Sequence, residues 1–354
     1  MKSFKIIFDG DLCFKVINTK ENNCIDEQLL ISLYKNKCKI DNIDINKWEK
    51  YKKLHNDYEY IYTSSNKSKN ISDIIPISRS YFKIHEILKD FNINDLEYCS
   101  CIAEGPGGFI NCLLNNYDIK SIYGITLLSN DRKIPFWSSK LFNNPRVYLN
   151  KHKNTGDIYI KKTADNFIKN SKKSELVTAD GGFDYSNDYN KQELLSYKLI
   201  YSEIYIALNI QKENGTFILK VFDIFYHKTI QLLYLLYLSY QEVFIYKPTV
   251  SRISNSEKYI VCKGFKGFNK EIVDLLTNYY SNVNNLHIEL PNEFIDIIKE
   301  YNNIFVQNQI DYINEILKFN CKNINERIKK QIIYSKEWCE KYKIPINKDF
   351  HLFT

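Results

Sequence analysis

Between about residues 75 and 268 the chain alternates short apolar blocks of strand character with longer stretches of helical spacing. Apolar residues at 81, 84, 87 and 88 have the spacing of an amphipathic helix, with a serine available as N-cap. Residues 98–103 read as a strand and run into Glu104-Gly105-Pro106-Gly107-Gly108-Phe109, after which 110–116 is helical. The pattern continues as a strand over 121–127, a helix over 164–170, a strand over 176–179 ending in Asp180-Gly181-Gly182, a long helix over 190–212, and a strand over 215–223. A buried helix over 232–240 and strands over 242–246 and 259–262 complete the series. The fold class this predicts is α/β, one domain with a largely parallel, Rossmann-like sheet and helices on both faces.

The flanks read differently. Residues 1–72, rich in Lys, Asn and Asp, form an N-terminal accessory region with strand-like pieces at 4–8 and 58–62 and no chemical motif. Residues 73–270 make the α/β domain, and 271–354 a mainly helical C-terminal region.

Composition narrows the classes. With 44% apolar and 15% aromatic residues the chain is globular, and a net charge of +7 permits a polyanionic partner without requiring one. Nine scattered cysteines (13, 24, 38, 99, 101, 112, 262, 321 and 339) lack paired C-x-x-C spacing, and six histidines are dispersed, so no metal is demanded. The thiols read as reduced. The first residues lack a signal-peptide pattern, and the run at 232–240 is far short of the roughly 20 residues that span a bilayer. The expectation is a soluble intracellular protein without membrane contact.

Four charged residues carry the candidate chemistry. Lys83 lies close to the apolar stripe of its helix, Asp180 ends a buried strand, Lys220 falls within or at the end of another, and Glu257 stands in the loop before the last strand. Singly, each has a plain alternative: a snorkelling lysine, an Asp-Gly turn, a strand-end lysine, a solvated loop acid. A doubly wound sheet can gather all four at its carboxyl edge, where two cations and two carboxylates suit removal of a proton from an alcohol. Strand, glycine-rich turn and helix let backbone approach a nucleotide-like ligand closely. The strand over 121–127 runs on into Leu127-Leu128-Ser129 without an acid to hold ribose hydroxyls, and Gly156-Asp157-Ile158 is the nearest substitute.

Lys83 in Ser-Arg-Ser-Tyr-Phe-Lys, the Glu-Gly-Pro-Gly-Gly-Phe turn, Asp180 in Ala-Asp-Gly-Gly-Phe-Asp, Lys220 in Leu-Lys-Val-Phe-Asp and Glu257 in Ser-Arg-Ile-Ser-Asn-Ser-Glu-Lys-Tyr resemble the ordered Lys-Asp-Lys-Glu motifs of FtsJ-like ribose 2′-O-methyltransferases. Within that family the chain looks most like the mRNA cap 2′-O-methyltransferases of eukaryotes and large DNA viruses, over about residues 75–268. The resemblance implies S-adenosyl-L-methionine as methyl donor. It implies donor contacts from Ser78, Ala103, Glu104, Gly105, Pro106, Gly107, Gly108, Phe109, Asp157 and Ile158. Lys220 would be the general base, with Lys83, Asp180 and Glu257 orienting and tuning it. Asn190, Lys191, Gln192 and Asn255 fall where such enzymes contact capped RNA. Capped mRNA is the implied substrate, and other capping enzymes stay open as partners. Basic pairs at Lys151/Lys153, Lys161/Lys162, Lys172/Lys173 and Lys263/Lys266 are candidates for an RNA path. The rivals are a ribosomal or transfer RNA ribose methyltransferase and a catalytically silent RNA-binding capping subunit. Nucleus and viral cytoplasm stay equally open as compartments.

Overall fold

The strand blocks are apolar on successive residues because the sheet they form is covered on both faces. The computed structural model describes residues 2–17, 24–131, 133–150, 155–183, 189–319 and 324–351. Its strands are β1 (Ser3–Ile6), β2 (Tyr98–Ile102), β3 (Ser121–Ile125), β4 (Val147–Leu149), β5 (Ser174–Ala179), β6 (Gln211–Val221), β7 (Tyr240–Tyr246) and β8 (Lys258–Phe265). The helices are α1 (Glu27–Cys38), α2 (Ile45–His55), α3 (Ser80–Asp90), α4 (Gly108–Asn116), α5 (Ser139–Phe142), α6 (Lys161–Asn170), α7 (Gln192–Ile210), α8 (His227–Ser239), α9 (Lys270–Tyr279), α10 (Asn292–Leu317) and α11 (Ile324–Lys341).

All eight strands join one sheet in the order β1-β7-β8-β6-β5-β2-β3-β4. The five from β6 to β4 run parallel, while β8, β7 and β1 add antiparallel neighbours on one side. The sheet is thus mixed. Along β5, Leu176 packs into a core with Ile84, Phe109 and Trp338, whereas Val177 and Ala179 face the opposite core with Leu199, Ile204 and Leu236.

From β2 the chain winds outward through β3 and β4, then returns to the other side of β2 for β5 and β6. The switch point therefore lies between β2 and β5, where sheets of this kind open a crevice at their carboxyl ends. Register fixes what stands there. Ile102 is level with Ala179 and Ala179 with Leu219, so Ala103, Asp180 and Lys220 come side by side, with Tyr259 opposite Lys220.

Some local expectations change. Residues 59–61 form a 3₁₀ turn, not a strand, which buries Glu59 where it meets Arg79 and Arg252 at 3.6 and 3.0 Å. No serine side chain caps α3, because Ser78 Oγ is hydrogen-bonded to Ser80 Oγ at 2.6 Å. Gln211 and Lys212 open β6 where the periodicity extends the helix, the Gln211 amide donating to the Ser174 carbonyl at 2.8 Å. No helix among the described residues is long and apolar enough to cross a membrane.

Candidate active site

The sheet edge brings the four charged residues together. Lys220 Nζ donates to the Asp180 carbonyl at 2.7 Å and lies 3.3 Å from Asp180 Oδ1. Lys83, on the first turn of α3, reaches Glu257 at 2.7 and 2.9 Å. Side-chain exposures of 12% for Lys220, 14% for Asp180, 17% for Lys83 and 12% for Glu257 leave each mostly desolvated yet reachable. Gly182 keeps Nζ accessible, since a Cβ there would lie 3.1 Å from it.

Several neighbours outside the predicted set orient these groups. Tyr259 donates its hydroxyl to Asp180 Oδ1 at 2.9 Å, and Ser251 donates to Glu257 Oε1 at 2.9 Å. Lys247 donates to the carbonyls of Asn255 and Glu257 and to the Asn255 side chain, which fixes the loop. Glu203, buried on α7, accepts from Gly181 N at 3.2 Å.

Charge balance follows from this packing. Burial opposes ionisation of Glu257, but Lys83, Lys220 and Lys247 outweigh it and hold the carboxyl at about 2. Burial likewise pushes the Lys220 ammonium down, and the carboxylates of Asp180 and Glu257 more than reverse this, so Lys220 sits above the usual lysine value. Lys247, where burial prevails over Glu257, falls to about 7. Burial also lifts Glu203 and Glu104 well above the carboxylate range.

Beside Asp180 lies the turn between β2 and α4. Ala103 and Gly107 have φ of 53° and 106°, the left-handed region that lets the chain turn tightly between β2 and α4. Gly105 has no room for a side chain, as a Cβ would sit 2.4 Å from the Pro135 carbonyl. The Glu104 side chain turns inward and accepts from Phe109 N at 2.6 Å and Ile110 N at 3.4 Å, which satisfies the first amides of α4. Ser78 abuts it, since a Gly108 Cβ would meet Ser78 Oγ at 2.1 Å. The loop with Asp157 and buried Ile158 reaches the same edge, Leu128 N donating to the Thr155 carbonyl at 2.7 Å, and Asp157 Oδ1 accepts from Tyr159 N at 2.9 Å.

Comparison with known proteins gives this edge a lineage. Residues 76–265 match the model of the FtsJ-like methyltransferases, more than half of the chain. The chain belongs to the FtsJ-like methyltransferase family. It is 33% identical over 210 residues to the cap-specific mRNA (nucleoside-2′-O-)-methyltransferase 1 of Caenorhabditis elegans, covering 56% of this chain and 22% of that protein. The proteins of the same name from Mus musculus and Xenopus laevis are 31% and 30% identical over 276 and 306 residues, covering 71% and 80% of this chain and 32% and 35% of theirs. The chain thus spans about a fifth to a third of the length of these curated relatives.

All four residues of the tetrad and the whole glycine turn fall within the FtsJ-like span. Asn255 lies in the Glu257 loop. Asn190, Lys191 and Gln192 lie at the start of α7, held to the loop after β6 because neighbouring Glu193 accepts from Phe225 N and Tyr226 N at 2.9 Å. The basic pairs divide. Lys172/Lys173 precede β5, and Lys263/Lys266 stand at the end of antiparallel β8, both at the edge of the sheet opposite Asp180. Lys161/Lys162 open α6 just after the Asp157 loop, and Lys151/Lys153 lie outside the described residues. Tyr259 and Ser251 stand within the motifs that signal the family, yet only the register of β8 against β6 and the fold of the 248–257 loop reveal their partners.

Proposed function

We propose that this chain methylates the ribose 2′-oxygen of the first transcribed nucleotide of capped mRNA. The observation that carries the reading is the convergence of Lys83, Asp180, Lys220 and Glu257 beside a glycine turn at the switch crevice of an FtsJ-like domain. The cap-specific activity named for the relatives supports the choice of substrate.

In this reading Lys220 Nζ takes the proton from the ribose hydroxyl. Asp180 and Glu257 aim it and also keep it protonated at rest, so the free amine is a minority species at neutral pH. Lys83 balances Glu257, preventing a lone buried carboxylate. Ala103 to Phe109, with Ser78, Asp157 and Ile158, would hold the donor; the left-handed backbone at Ala103 and Gly107 and the start of α4 suit a nucleoside at this crevice. When bound, S-adenosyl-L-methionine supplies an electrophilic methyl group on a positively charged sulfur. Asn190, Lys191, Gln192 and Asn255 contact the RNA on the α7 and 255–257 side.

The test is transfer of labelled methyl to short RNAs carrying a methylated cap, an unmethylated cap or a plain triphosphate, followed by nuclease mapping. Label confined to the first nucleotide of capped RNA is expected. Label on the triphosphate RNA would move the substrate to uncapped RNA and contradict the cap reading.

A further inference from the structure

Two helices outside the matched family span, α1 and α10, grip the loops that follow Lys220 and precede Glu257. From α1, Lys37 Nζ lies 3.3 Å from Asp223 Oδ2 and donates to Ser256 Oγ at 3.2 Å, while Ser256 donates to the same Asp223 oxygen at 3.0 Å. Asp223 is three residues past Lys220, and Ser256 immediately precedes Glu257. One lysine therefore bridges the two loops without touching either reactive group. The bridge is dry: Lys37 and Asp223 are 13% and 6% exposed, so little water competes for their bonds.

The same helix makes further attachments. Tyr34 donates to the Asn190 carbonyl at 2.7 Å, and just before the helix Ile25 N donates to the Phe225 carbonyl at 2.8 Å. From the other side, α10 supplies Asn302 to the Ile224 carbonyl at 2.6 Å and Gln309 to the Ser254 carbonyl at 2.9 Å. Its Phe305 ring lies 4.0 Å from Lys258 Nζ, which donates to the Phe222 carbonyl at 2.7 Å. Leu30 and Leu33 of α1, Val306 and Ile310 of α10 and Phe225 between them share one apolar cluster. Sheet ladders already hold β6 and β8 in register, so these contacts add order where the ladder ends.

We propose that α1 and α10 form a brace that sets the separation of Lys220 from Glu257, with Lys37 as its positioning residue. The role in catalysis rests on the methyl-transfer reading above; the ordering of the loops does not.

The test replaces Lys37 with methionine, which keeps bulk and removes the charge. Amide exchange of 222–226 and 254–257 becomes at least about tenfold faster, while that of 103–109 is unchanged. In methyl transfer kcat falls about 10- to 100-fold with donor KM unaltered, because misplacement of reacting groups acts on the chemical step. Lys37→Arg restores most of the rate, and adding Ser256→Ala to Lys37→Met costs little more. Should Lys37→Met fold poorly, Ser256→Ala alone is read the same way. Unchanged exchange in both loops overturns the brace, as does a fall in kcat matched by equal loss of donor binding. An inactive wild type with faster exchange in the variant would instead defeat the methyl-transfer reading while upholding the brace.

Discussion

Lys220 is held by the carboxylates that would make it useful. Asp180 and Glu257 raise it against the opposing pull of burial, so at neutral pH the free amine grows tenfold per pH unit. Single-turnover methyl transfer is therefore expected to rise about tenfold per unit between pH 7 and 9; a profile already flat at pH 7 would contradict this protonation state. Glu257→Gln removes one carboxylate that raises Lys220 and keeps the side chain's shape. It moves the profile to lower pH and loses less activity than Lys220→Ala, measured by the same assay. The four positions stood out in the sequence through the ordered motifs that carry the family resemblance, since each charged residue taken alone has a plain alternative. Tyr259, Ser251, Glu203 and Lys37 did not, since each acts through a partner that only register or tertiary packing supplies, the bond from Lys37 to Ser256 spanning 219 positions.

Elements matter here through their ends. The start of α7 is fixed to the loop after β6 by Glu193, whose carboxylate accepts from Phe225 N and Tyr226 N and is lifted to about 8 by burial that prevails over these bonds. Glu193→Ala strands two backbone donors, at about 1–3 kcal/mol for a buried one. Thermal unfolding should show a clear loss of stability, with Glu193→Gln intermediate. The central strands and α3, α4 and α7 followed from hydrophobic period alone. The three-residue β4 did not, its residues being partly or fully exposed and too few to show a period. The 58–62 stretch misleads for a different reason: its tyrosines and isoleucine alternate like a strand, but pairing buried Glu59 with two arginines favours a turn.

At the scale of the molecule, sequence periodicity revealed the α/β architecture but not how the flanks attach. β1, from the N-terminal region, becomes an edge strand against β7. Glu86, fully buried on α3, then ties four regions together: it lies 2.8 Å from Lys2 Nζ, and accepts from Tyr246 Oη at 3.0 Å, Thr249 N at 2.7 Å and Trp338 Nε1 of α11 at 3.0 Å. Removing one partner of such a network typically costs about 3–5 kcal/mol. Glu86→Ala should lower the denaturant midpoint accordingly, and an unchanged midpoint would mean the flanks are held by apolar packing alone. No periodicity announces this residue, because a glutamate at 86 reads as the polar side of an amphipathic helix until both ends of the chain are folded over it.

The central claim is that the four side chains at the switch crevice carry out ribose methylation with Lys220 as the base. The measurement that tests it most directly is methyl transfer to capped RNA by wild type and Lys220→Ala, with donor affinity and melting temperature measured on the same samples. The account predicts donor binding and folding near wild type and a rate lower by about 10²–10⁴ in the variant. A Lys220→Ala chain that binds the donor and still methylates at most of the wild-type rate would contradict it.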